Sequence, residues 1–342
     1  MRPIYSPASQ VLERISDELE QRKVLFAGDI QDDFVVNLTA KQINIHTTAY
    51  HHYCRLLPRA KGQITFSVVP EAVLFEEIDT LIYYWPKTKL EAQFQLSALL
   101  SQLAKGVDVF IVGENRAGVR SAETLLSPFG RINKIDSARR CSLYHFQADS
   151  RLAFDLAEWW QRYQLDNGAV IKNLPGVFSS NHLDVGSELL LQALLPRTEL
   201  LHGHILDMGC GAGVLATVIG LTNPAIELTL SDVNAVALRA SEETLQANHL
   251  TGQVVASDVF SDIKTKFDLI ISNPPFHDGK EISYFAAETL ISEAKKFLKP
   301  NGHLCIVANA FLPYPDLLDK AFGSHQIVLQ TNKFKVYLAR YR

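Results

Sequence analysis

Short apolar runs recur along the chain. Each ends in a polar or glycine-containing break, and apolar residues then return at helical spacing, the pattern of alternating strands and helices. The first half predicts helices over 7–22 and 90–105 and strands over 23–29, 43–46, 63–69, 80–84 and 107–112, with a further strand-like piece at 34–38. In the second half, strands at 204–208, 227–231, 255–259, 267–271 and 303–308 alternate with helical stretches, and a hairpin over 326–330 and 335–340 closes the chain. Helices are predicted at 184–195, begun by Asp184 and stopped by Pro196, and at 281–298 and 315–322. Between the halves, 151–167 with Trp159-Trp160 reads as a helical connector, and 169–178 as a hairpin turning on Pro175-Gly176.

The two halves repeat each other weakly but in order. Asp79-Thr80-Leu81-Ile82-Tyr83-Tyr84-Trp85-Pro86 aligns with Asp268-Leu269-Ile270-Ile271-Ser272-Asn273-Pro274-Pro275, and Val24-Leu25-Phe26-Ala27-Gly28 with Ile205-Leu206-Asp207-Met208-Gly209. In the first copy Phe26 stands for Asp207, Tyr84 stands for Asn273, and the glycine loop is missing. The expected architecture is therefore a duplicated α/β fold: a degenerate domain over 1–150, the connector 151–167, and a domain over 168–342 that keeps the site.

Composition narrows the function classes. Of 342 residues, 47% are hydrophobic and 20% charged, enough apolar mass for two cores in a soluble protein. A net charge of −4 excludes a general nucleic-acid coat, so any RNA contact must be a local patch. Arg131, Lys134, Arg139 and Arg140 form the best such patch, although a solvated face or a set of interdomain ion pairs explains them equally well. Cys54, Cys141, Cys210 and Cys305 form no CxxC pair, which points to a reducing cytoplasm and against structural zinc. His51-His52 reads as structural, and no metal site is expected. No apolar run is long enough to span a membrane and no signal-peptide core is present. A cytoplasmic monomer is the expectation.

The candidate chemistry lies where predicted strands end, the edge at which open α/β sheets bind ligands. Asn273-Pro274-Pro275-Phe276 follows an apolar strand, and two prolines in a row cannot continue a ladder. The Asn273 side-chain oxygen and the Pro274 carbonyl are then two acceptors held at fixed separation, suited to an sp² NH2 group, with Phe276 offering a flat face for stacking. His277 and Asp278 are candidates for a general base, although water can take the proton after transfer. Gly209, Gly211 and Gly213 let the backbone approach a ligand at a helix start. Asp232 ends the next strand, where it can hold both hydroxyls of a ribose, and Ser257 and Asp258 end a third, where a carboxylate can accept from an adenine amine. Phe178 either covers the cofactor or packs into the core.

A glycine loop also suits a dinucleotide oxidoreductase. The G-x-G-x-G spacing and Asp207, which would repel a pyrophosphate and welcome a cationic aminoacyl group, favour S-adenosylmethionine instead. The order of elements resembles the Rossmann-like, seven-stranded class I methyltransferase fold, and Asn273 to Phe276 its amino-methylating branch. The whole chain resembles the family of ribosomal small-subunit RNA guanine-N2 methyltransferases. The first-half stretches Leu81-Ile82-Tyr83-Tyr84-Trp85-Pro86-Lys87, Val112-Gly113-Glu114-Asn115-Arg116 and Asp136-Ser137-Ala138-Arg139-Arg140-Cys141 carry this resemblance, together with Leu174 to Ser179, Leu183 to Ser187, Asp207 to Val214, Ser272 to Gly279 and Ile306 to Tyr314. It implies two tandem folds, the first without cofactor and serving folding and RNA recognition. It also implies methyl transfer from S-adenosylmethionine to the exocyclic N2 of guanine 1207 of 16S rRNA in the assembled 30S subunit. Adenine N6, a protein glutamine N5 and a non-catalytic ribosome assembly role remain as alternatives.

Overall fold

The chain divides into two units, Met1–Trp159 and Trp160–Arg342. The computed structural model describes residues 4–178, 182–274 and 281–342, with side chains in the last span from 285 onward. In the first unit the strands are β1 (Lys23–Gly28), β2 (Gln42–Thr47), β3 (Ile64–Phe66), β4 (Thr80–Tyr84), β5 (Asp108–Glu114), β6 (Gly130–Ala138) and β7 (Cys141–Ala148). The second unit opens with a small hairpin, β8 (Gln161–Gln164) and β9 (Val170–Asn173). Its main strands are β10 (His204–Met208), β11 (Glu227–Asp232), β12 (Gln253–Ala256), β13 (Phe267–Ser272), β14 (Leu298–Asn309), β15 (Gln326–Gln330) and β16 (Phe334–Arg340).

Among the described residues each unit forms one seven-stranded sheet. The orders are β3-β2-β1-β4-β5-β7-β6 and β12-β11-β10-β13-β14-β16-β15, the same topology twice. The first five strands of each are parallel, and the last two form an antiparallel hairpin on the edge. The strand register repeats as well. Val24 pairs with Thr80 and Phe26 with Ile82, just as Ile205 pairs with Leu269 and Asp207 with Ile271. These are the pairings the aligned sequence stretches require. In both copies side chains alternate between two cores, one on each face of the sheet: Leu25, Leu81 and Tyr83 face one, Val24, Phe26, Ile82 and Tyr84 the other.

One polar contact recurs in both copies. Asp268 Oδ2 accepts the His204 N–H at 2.8 Å, and the Asp79 carboxylate accepts the Lys23 N–H at 3.2 Å, so an aspartate at the amino end of the fourth strand pins the start of the first. Lys299 Nζ also donates to Asp268 Oδ2 at 2.7 Å. A Cβ at Gly203, where φ is +62°, would fall 2.2 Å from that oxygen.

The first copy closes its own site. Phe26 packs edge-on against Phe34 and lies against Tyr84. The Tyr84 hydroxyl, at the place of Asn273, pairs with Ser9 Oγ at 2.9 Å, on the helix Pro7–Leu12. Apolar packing and an internal hydrogen bond occupy what the second copy leaves polar.

Three local expectations fail. Residues 34–38 are not a strand: Asp32 Oδ1 accepts the Phe34 N–H at 2.9 Å and the Asp33 carbonyl accepts Val36 and Asn37 N–H, winding Phe34–Asn37 into a helical turn. A short apolar run fits either period, and these hydrogen bonds decide. The connector 151–167 holds only one 3₁₀ turn, Leu156–Trp159, before β8 begins. The hairpin expected to turn on Pro175-Gly176 is β8–β9, which turns through Gly168, whose φ of +89° reverses the chain there. Among the described residues no helix is long and apolar enough to cross a membrane.

Burial pushes the Asp268 carboxyl up, but the Lys299 ammonium and the His204 N–H outweigh it and hold it below the usual carboxylate range. Its contribution to stability is therefore present above about pH 4 and is lost as pH falls through the depressed value. Asp268→Asn should lower unfolding free energy by roughly 1–3 kcal/mol at pH 7, with the gap narrowing below pH 4 in denaturant titrations. A gap that does not change with pH would remove the charge from the explanation.

Candidate active site

Past Met208 the chain turns through Gly209, Gly211 and Gly213, with φ of +71°, +54° and +75°, a region that penalises any Cβ. The Gly209 and Cys210 N–H groups both donate to the Ser231 carbonyl, at 2.8 and 3.0 Å, tying the loop to β11. A Cβ at Gly209 would meet nothing within 4 Å, and one at Gly211 only Val177 Cγ1 at 4.0 Å. The main chain is thus open to a ligand at these two positions. At Gly213 the need is internal, since a Cβ would press on Leu230 and Ser241 at 3.1 and 3.2 Å; this glycine starts the helix Val214–Thr222.

Asp207 lies buried beneath the loop. Its Oδ2 accepts the Ala216 N–H at 3.1 Å, while Oδ1 has no hydrogen-bond partner among the described residues. Burial raises its pKa to about 7; the Ala216 N–H opposes the shift and the charge of Asp232 adds to it. Asp232 itself accepts from Gly211 N–H at 3.0 Å and Asn234 N–H at 2.9 Å, so it braces the glycine loop as well as facing the ligand edge. Burial raises its pKa too, against those main-chain donors. Each oxygen keeps a further lone pair for a hydroxyl.

Ser257 is occupied within its own turn. Its Oγ donates to the Val259 carbonyl at 2.8 Å and accepts the Asp262 N–H at 3.1 Å, and its N–H donates to the Asp232 carbonyl at 3.1 Å. It holds that turn together, whereas Asp258 beside it is exposed.

Asn273 follows β13 directly. Its Nδ2 donates to Asp184 Oδ2 at 2.5 Å and to Ser187 Oγ at 3.0 Å, and its Oδ1 is buried with no partner among the described residues. Pro274 is buried beside it. Pro275, Phe276, His277 and Asp278 lie outside the described residues. In the sequence Asp184 is legible only as a helix start, not as the partner of Asn273. The spacing Asp184-x-x-Ser187 announces a cap and nothing more, and the contact spans 89 residues. Phe178 is 60% exposed rather than packed in the core, while Val177 is buried against Gly211.

An open glycine loop, the buried Asp207 and half-buried Asp232 carboxylates and two buried acceptors unpartnered among the described residues, all at the carboxyl edge of a 3-2-1-4-5-7-6 sheet, define a class I methyltransferase that uses S-adenosylmethionine. Residues 168–338 match the methyltransferase small domain and residues 9–163 the methyltransferase small domain N-terminal family. The ribosomal RNA small subunit methyltransferase C of Enterobacter sp. strain 638 is 54% identical over 333 residues, covering 97% of this chain and 96% of that protein. That of Serratia proteamaculans is 53% identical over 335 residues, covering 98% and 95%. The chain belongs to the ribosomal RNA small subunit methyltransferase C family. Its fold matches the Thermus thermophilus 16S rRNA N2 G1207 methyltransferase, solved with AdoMet and guanosine, at a TM-score of 0.83 and 21% identity, covering all of this chain and 93% of that one.

The raised pKa of Asp207 has a defined sign. Below about pH 4 the carboxyl is neutral in both folded and unfolded chains. As pH rises to about 7 only the unfolded chain ionises, and the unligated protein loses stability over that window. Asp207→Asn removes the slope. Relative to wild type the variant should gain on the order of 2–4 kcal/mol of unfolding free energy between pH 4 and pH 8, and parallel curves in urea titrations would return the carboxyl to its ordinary value.

Proposed function

We propose that the second unit transfers a methyl group from S-adenosylmethionine to the exocyclic N2 of a guanine in 16S rRNA, the position numbered 1207, within the 30S subunit. The observation that carries this reading is the Asn273 Oδ1 atom, a buried acceptor without a donor among the described residues at the ligand edge of β13. An exocyclic amine is a poor nucleophile because its lone pair is delocalised into the ring. An amide oxygen and a prolyl carbonyl that accept both N–H bonds orient the nitrogen and stabilise the positive charge that develops on it. Asn273 and Pro274 fill these roles; Pro275 and Phe276, next in the sequence, are the residues we assign to stiffening and stacking. The bound cofactor supplies an electrophilic methyl on a cationic sulfur. Gly209 and Gly211 offer it open backbone, Asp207 a carboxylate that ionises beside a cation, and Asp232 and Asp258 acceptors for hydroxyl and amine donors.

The same unit could serve adenine N6 or a glutamine amide, since both present a planar NH2. Kinship with ribosomal RNA enzymes over nearly the whole chain favours guanine in RNA. The first unit supplies a candidate RNA contact. Arg139 and Arg140 form the two-residue turn between β6 and β7, both exposed and both at positive φ, +51° and +62°. Such a turn favours Asn-Gly, and two arginines hold it at a cost in backbone strain. Exposed cations kept at such a cost suit phosphate. We assign the enzyme to the cytoplasm, acting as a monomer.

Asn273→Ala should lower kcat about 10²–10³-fold and leave cofactor affinity within about twofold, whereas Asp207→Ala should abolish cofactor binding. The assay is labelled S-adenosylmethionine with unmodified 30S particles, free 16S RNA or protein, followed by nucleoside analysis. Full activity of Asn273→Ala, or label in adenine or glutamine, would overturn the reading. Replacing Arg139 and Arg140 by alanine should weaken subunit binding and reduce its salt dependence, with a slope smaller by roughly 1.5–2 in log–log terms.

A further inference from the structure

Asn273 can serve as an amine acceptor only if its amide faces the right way, because a half-turn about the last side-chain bond exchanges an acceptor for a donor at nearly the same place. Two residues from a distant segment settle that choice. Asp184 caps the helix Val185–Leu194: Oδ1 accepts the Gly186 N–H at 3.1 Å and Oδ2 the Ser187 N–H at 2.8 Å. The same Oδ2 accepts Asn273 Nδ2 at 2.5 Å, with Ser187 Oγ 3.0 Å from that nitrogen. With its carboxylate accepting on both oxygens, Asp184 can bond only the NH2 end of the amide. Turning Asn273 over would set its oxygen against a carboxylate oxygen.

Gly186 completes the arrangement. A Cβ there would fall 2.9 Å from Asn273 Oδ1 and 3.1 Å from Nδ2, so the amide rests on bare main chain. The contact does not cover Oδ1, which remains buried without a donor among the described residues. Tyr163 on β8 also senses Asp184: burial first, and then the negative charge of that carboxylate, push its phenol up to about 12.

We infer that Asp184 is a positioning residue for methyl transfer: its helix-capping carboxylate holds the Asn273 amide with the NH2 end inward and the oxygen presented to the substrate amine, over a gap that only Gly186 leaves open. The inference rests on the reading of Asn273 as the amine acceptor. It predicts that one carboxylate serves two separable purposes, helix cap and amide orientation. A serine at 184 keeps the first and loses the second. An asparagine at 184 keeps one oxygen, which at the place of Oδ2 still accepts from Ser187 and Asn273 while its NH2 faces the Gly186 N–H, and so keeps the orientation in part.

The test uses the full-length protein on unmodified 30S particles. Asp184→Ser should melt within a few degrees of wild type and keep its KM for S-adenosylmethionine, with kcat reduced at least about tenfold. Asp184→Asn, which keeps one oxygen facing Asn273, should lose less of the rate than Asp184→Ser. Gly186→Ala should lose kcat in the same way. Since Asp184 acts through Asn273, Asp184→Ser should cost nothing further in the Asn273→Ala background, where a residual rate remains measurable. Wild-type kcat for Asp184→Ser beside an impaired Asn273→Ala would overturn this inference and leave the methyl-transfer reading intact. An equal loss from Asp184→Ser in both backgrounds would also overturn it. A fully active Asn273→Ala would instead remove the reading on which it stands.

Discussion

A buried amide oxygen with no donor among the described residues, Asn273 Oδ1, is the constraint on which the second unit depends. An unpaired acceptor inside a protein costs about 1–3 kcal/mol, and the surroundings of Asn273 are arranged to keep it. β13 runs between β10 and β14, its register fixed by main-chain pairing and by Ser272 Oγ, which donates to the Met208 carbonyl at 2.7 Å. The strand delivers Asn273 to the sheet edge, and the helix cap at Asp184 takes its NH2 end. Asp207 repeats the theme one strand away, one oxygen satisfied by a helix N–H and the other without a partner.

The duplicated first unit shows the alternative outcome for the same backbone. At the equivalent positions Phe26 packs and Tyr84 bonds Ser9, so each group that the second unit leaves for a ligand is closed internally. Two sheets with one strand order and one register thus differ in whether their carboxyl edge is filled by the chain itself. This is why the topology alone does not assign a site to either unit.

Electrostatics follows from the same geometry. Burial raises the cost of ionising Asp207 and Asp232, and the charge of Asp232 adds to it at Asp207. Such a pair disfavours an anionic ligand and is relieved by a cationic one, and this separates a sulfonium cofactor from a pyrophosphate on an otherwise similar glycine loop. The chain as a whole carries a net charge of −4, so attraction to RNA must be concentrated in places such as the Arg139-Arg140 turn.

Much of this was legible in the residues. The internal repeat was legible, and the equivalent pairings of Val24 with Thr80 and of Ile205 with Leu269 agree with it, because aligned strands in a duplicated sheet inherit one register. The glycine loop and the strand before Asn273 were equally plain, since apolar runs and turn residues act over a few neighbours. Short ambiguous pieces were not: a hydrogen bond from Phe34 N–H to Asp32 helped make 34–37 helical, and pairing with β9 made 161–164 a strand. Nor could the sequence alone give the partners of its polar atoms. That Ser257 is spent in its own turn, that Asp232 braces Gly211, and that Asp184 orients Asn273 were decided by tertiary structure, because a side chain's hydrogen bonds depend on what the fold brings within 3 Å. Local order is encoded in local pattern, whereas the direction of a buried amide is set by residues distant in the chain.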